Sequence, residues 1–146
     1  MINNSMGEIS TWSNRTKFGL TWLLYVLLAI VIGAFWHAKL FVKYYKEANF
    51  ITAAEINVPL AIGSMLLLGY TSTYFFSKIY RPNSGNYSAI KTAINVLLLP
   101  RMVVAFAQAA EQNVNGKGLN LIVLEFGLYL IISILWGGLS GKIYDK

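Results

Sequence analysis

The chain has 146 residues, 56% of them hydrophobic and only 12% charged, whereas roughly 25% of residues are charged in an ordinary soluble domain. That excludes a conventional water-facing surface, and the lack of any cysteine excludes disulfide frameworks, thiolate catalysis, c-type haem attachment and cysteine-ligated metals. Twelve Lys and Arg against six Asp and Glu give a formal +6, which in so apolar a chain reads as loop and head-group charge rather than nucleic-acid binding.

Residues 1–16 form a polar N-terminal segment that includes Glu8, unlike the basic start of a secretory signal. The apolar run after it ends without a small-residue cleavage pattern, so it is expected to remain as a first span, about 18–36. That span is uncharged, with Trp22 and Trp36 near its ends as interfacial anchors. A continued helix would place Lys39, Lys43 and Lys46 on one face, where their stems can reach back toward head groups. Pro59, in a first turn where its missing N–H does no harm, opens a second span, about 58–80. A turn by composition, 81–86, leads to a third span, about 87–110, interrupted by Pro100 and Arg101. A second polar turn, 111–118, leads to a fourth, about 119–144. None of the runs alternates polar and apolar residues as barrel strands do. The predicted fold is therefore all-α, an integral membrane four-helix bundle forming one domain over 17–146, with both termini on the same side. That side holds Arg15, Lys17, Lys78, Arg81, Lys91, Lys142 and Lys146, against Lys39, Lys43, Lys46 and Lys117 on the other, and seven against four predicts cytoplasmic termini.

Arg101 is the residue least at home, because a charge in the middle of a span costs roughly 2.5–3.5 kcal/mol. Glu125 is the acidic residue inside the fourth span. Counted outward from the turn near Val114 and Asn115, the two differ in depth by only about 5 Å at the helical rise of 1.5 Å per residue, so an intramembrane ion pair is predicted. Such a pair either fixes which helix faces meet or forms a proton or substrate site. Pro100 beside it removes a helical hydrogen bond and frees the Val96 carbonyl, which Arg101, Asn95 or a water would have to satisfy. Tyr70, Thr73, Tyr74 and Ser77 recur at helical spacing as a hydroxyl stripe on the second span. With Tyr25, Asn95 and Tyr129 they are candidates for a polar layer around the pair, and interhelical packing is the competing reading. Ser133, Gly137 and Gly141 make a small-residue face on the fourth span, suited to close packing within the chain or to a dimer seam. His37, the single histidine, is read as an interfacial residue with no acidic partner at ligand spacing. No metal site and no cofactor are expected.

The stretch Gly33-Ala-Phe-Trp-His37 with the following Lys39-Leu-Phe, and the stretch Gly137-Gly-Leu-Ser-Gly-Lys-Ile-Tyr144, resemble features of small uncharacterised bacterial four-span inner-membrane families. The resemblance implies a location and no activity, and it does not extend to Pro100 and Arg101. With no catalytic set in sight, the leading expectation is an accessory or structural membrane subunit that contacts itself or a larger complex through its helix faces. A small oligomeric transporter or channel with a polar path at Arg101 and Glu125 is the alternative. A lipid- or quinone-active membrane enzyme is the third reading. The expected partners are the bilayer and another membrane protein or a second copy.

Overall fold

The computed structural model of the chain describes residues 12–47, 57–111 and 118–146; most of the polar N-terminal segment and most of the turn expected at 111–118 lie outside them. The described residues are about 90% helical, without strands. The first helix, α1 (Asn14–Phe35), starts ahead of the apolar run because Ser13 caps it, its side chain accepting from the Thr16 N–H at 3.2 Å. It does not stop at Trp36. A π-helical turn, Trp36–Leu40, extends it and is closed by the Phe41 N–H donating to the Trp36 carbonyl at 3.0 Å. The chain then breaks at Phe41 and restarts as the short α2 (Val42–Glu47). The break corrects the expectation of one continuous lysine face, because Lys43 and Lys46 belong to a helix separate from the turn that carries Lys39.

Asn57 caps α3 (Val58–Ile79) by accepting from the Leu60 N–H at 3.2 Å, with Pro59 in the first turn. The turn after it uses positive φ at Asn83 (63°) and Gly85 (88°), a region that glycine enters freely and asparagine more readily than most. The third rod is built in three parts: α4 (Asn86–Ala93), a π-helical turn (Ile94–Leu98) and α5 (Leu99–Glu111). The last rod is α6 (Gly118–Tyr144). The segments Asn14–Leu40, Val58–Ile79, Asn86–Ala110 and Gly118–Tyr144 are four helices long and apolar enough to cross a membrane.

α6 is the hub, packing against α1, α4 and α5, while α3 lies on α1 and meets the third rod through α4 and its π turn. Tyr25, Phe76, Leu97, Leu128, Ile132 and Trp136 fill the core. Trp136 is tied to α1 by its Nε1 donating to the Thr21 carbonyl at 3.0 Å. A Cβ on Gly137 would come within 2.6 Å of the Ala93 Cβ, and one on Gly141 within 2.6 Å of the Ala89 Cβ. The small-residue face of α6, with Ser133 buried in it, therefore seats α4 inside the same chain.

The carbonyl freed by Pro100 is faced by Ser72 of α3, whose hydroxyl donates to Val96 O at 3.5 Å. Neither Asn95, which is exposed, nor Arg101 takes that role. Beyond this point α3 and α5 part company. No residue of 58–68 is buried, and Leu60 and Leu67 are 71% and 68% exposed.

Candidate functional site

Glu125 lies about 10 Å along α6 from its start at the helical rise per residue. Its side chain is only 4% exposed, and a carboxylate so placed is stable only with partners. Arg101 brings Nη2 to 3.9 Å from Glu125 Oε2, the outer limit of an ion pair. The guanidinium also rests over the Tyr129 ring, 4.3 Å from its centre, where the negative face of the ring attracts it. Its Nε is buried without a hydrogen-bond partner.

Two nearer partners come from the end of the first rod and the helix after it. The Tyr45 hydroxyl donates to Glu125 Oε1 at 2.8 Å, and His37 Nε2 lies 3.4 Å from the same oxygen. The His37 and Tyr45 rings stand 4.5 Å apart. Local backbone shape makes this possible. A π turn carries one extra residue per hydrogen-bonded loop and so re-aims the side chains on it; His37 sits on such a turn. The break at Phe41 then lets α2 return Tyr45 to the carboxylate. His37 thus has the acidic partner that its sequence neighbours lack, which corrects its reading as a solitary interfacial residue.

The imidazole geometry constrains where a proton sits. His37 Nδ1 is 2.8 Å from the Gly33 carbonyl, an oxygen that only accepts, so Nδ1 carries a hydrogen. Nε2 of a neutral ring would then face Glu125 as acceptor against acceptor. The contact is attractive only when one proton lies between Nε2 and Oε1. Tyr45 supplies a second, neutral donor: burial first, and then the charge of Glu125, push its pKa up. Access differs across the group, because His37 is 38% exposed and Arg101 24%, while Glu125 is closed off.

The expected polar layer divides. Tyr129 lies under Arg101, and Tyr25 is buried beside Trp136, their ring centres 6.0 Å apart. Thr73 is fully buried with its hydroxyl unpartnered. Tyr70 and Tyr74 face outward instead, Tyr70 against the edges of Phe18 and Trp22, and Ser77 donates to the Tyr74 carbonyl at 2.7 Å. The α3 face that enters the bundle is Gly69, Ser72, Thr73 and Phe76, turned by one residue from the predicted stripe. Gly69 allows this, since a Cβ there would lie 2.5 Å from Tyr25 Cδ1. Among the described residues, no three His, Asp or Glu side chains gather into a metal-binding group.

The class defined by these features is a helical protein with four membrane-length apolar rods and, among the described residues, one buried carboxylate centre. Compared with protein-family models, curated proteins and solved structures, the chain matches none.

Proposed function

We propose that the chain is a small multi-pass membrane protein whose working part is the Glu125 centre, a proton-exchange site within an oligomeric transporter or channel. The observation that carries the reading is the position of His37, with Nδ1 2.8 Å from Gly33 O and Nε2 3.4 Å from Glu125 Oε1, a geometry that calls for one proton between Nε2 and the carboxylate. A proton reaches Glu125 through the partly exposed imidazole, and Tyr45 and Arg101 hold the carboxylate when the proton leaves. Phe76, Leu97 and Trp136, each fully buried, close the core of a single copy, so conduction would run between copies or require the rods to rearrange. The apolar outer surface of the four rods supports a membrane location and the lysine and arginine asymmetry supports cytoplasmic termini, while the bacterial inner membrane rests on the resemblance of the two short stretches alone.

Purified protein in liposomes loaded with a pH-sensitive dye tests this. The expected result is proton or proton-coupled solute flux that falls about a hundredfold in Glu125→Gln, the low end of what one positioned acid–base group contributes. No flux from the wild-type protein, or flux untouched by Glu125→Gln, sinks it.

The half-helix 58–68, which buries none of its residues, favours a second reading. There the chain is an accessory subunit, and a larger membrane partner covers this arm. A partner that survives mild-detergent extraction and is lost on adding bulk at Gly63, around which the chain itself leaves open space, would favour that reading over the first.

A further inference from the structure

At the end of the bundle where α1 starts and α3 finishes, a groove of about 520 Å³ opens between the two helices. Among the described residues, Arg15 and Lys78 are its charged lining residues and no Asp or Glu lines it. Phe18, Tyr70 and Tyr74 form an aromatic wall. We propose that this groove is a binding site for the head group of an anionic phospholipid.

Charge complementarity is the first argument. The neighbouring charges are already engaged: Lys17 Nζ donates to the Tyr144 carbonyl at 3.1 Å, and Asp145 accepts from Tyr80 at 2.9 Å and from the Asn83 N–H at 2.7 Å. Arg15 and Lys78 take part in none of these contacts, and both side chains are exposed, with Lys78 Nζ 5.6 Å from the centre of the Tyr74 ring on the wall. A phosphate diester between them meets a fork of guanidinium donors and an ammonium, with no competing carboxylate among the described lining residues.

Level is the second. Arg15 is in the first turn of α1 and Lys78 in the last turn of α3, so both sit where apolar rods give way to polar chain, the depth of phosphates in a bilayer. The third is continuity with an apolar surface. Phe18 meets Tyr70 edge-on at 5.3 Å and Trp22 meets it at 6.0 Å, which carries the aromatic wall from the charged rim along the rods, as an acyl chain attached to the phosphate requires. A free phosphate would use the rim and leave the wall idle.

The test is full-length protein in nanodiscs of phosphatidylcholine with a minority of phosphatidylglycerol, with retained lipids counted by native mass spectrometry. Wild type should retain phosphatidylglycerol in excess of its share, and the excess should fall about tenfold in Arg15→Gln/Lys78→Gln, which removes two surface cations from the site. Lys91→Gln/Lys142→Gln deletes the same charge from exposed positions outside the groove and should leave the excess within about twofold. The exchange Arg15→Lys/Lys78→Arg should keep it, and serves if the neutral pair fails to fold. Equal losses in the two neutral pairs would reduce the effect to bulk field and overturn the site. So would equal retention of the two lipids by wild type, or displacement of the lipid by millimolar inorganic phosphate.

Discussion

Glu125 is held mainly by partners other than the one that first draws the eye. Tyr45 gives it a hydrogen bond of 2.8 Å in a buried setting, while Arg101 stands off at 3.9 Å and is partly exposed. Hydrogen bonds to a charged group contribute about 1.5–3 kcal/mol, and a long, partly solvated ion pair under about 1 kcal/mol. In double-mutant cycles of detergent unfolding, Tyr45→Phe with Glu125→Gln should therefore show the larger coupling and Arg101→Gln with Glu125→Gln the smaller. The reverse order would show that the guanidinium dominates. Arg101 and Glu125 were legible because a charge inside an apolar run announces itself, and helical rise is enough to compare their depths. His37 and Tyr45 were not, because their approach depends on a π turn and on a break at Phe41, neither of which has a periodic signature in the sequence. The up-and-down order of the rods does place the end of the first and the start of the fourth at the same end of the bundle.

Among the elements, α3 shows why a correct spacing can point to the wrong face. Tyr70, Thr73, Tyr74 and Ser77 do share a face, yet the buried set is Gly69, Ser72, Thr73 and Phe76, a rotation of about 100° for one residue of α-helix. Glycine decides the matter, because only at Gly69 can the Tyr25 ring come so close. The pattern of hydroxyls reports which groups are polar, not which side meets a neighbour. On α6 the small residues point the right way, because Gly137 and Gly141 receive Ala93 and Ala89 of the adjoining rod. Gly137→Ala should lower stability by about 1–3 kcal/mol, the usual cost of overpacking. Gly63→Ala, with open space around it, should be neutral or gain up to about 1 kcal/mol from helix propensity. Thermal unfolding in one detergent compares them; equal shifts would mean that α4 and α6 are not in close contact.

At the scale of the whole molecule, the count and order of the four rods were plain in the sequence, since runs of about 20 apolar residues leave few alternatives. How tightly the two ends close was not, because a few polar side chains set it. Tyr80, Asn83 and Asp145 bind the middle turn to the end of α6, and Lys17 joins the start of α1 to the same place. Burial, then the hydrogen bond to Asp145 and its charge, raise the Tyr80 pKa. A raised folded value means that this contribution to stability is fully present below the unfolded tyrosine value of about 10 and is lost as pH climbs through the folded value. Wild-type protein should lose melting temperature above about pH 10 more steeply than Tyr80→Phe; parallel curves would absolve this hydroxyl. Among the described residues, no such fastening joins α3 to α5 at the opposite end. In its described residues the bundle is thus built like tongs, riveted at the Asp145 end and with its α3 and α5 arms apart at the other. Thermal motion would change the spacing of the α3 and α5 arms while the riveted end keeps its shape.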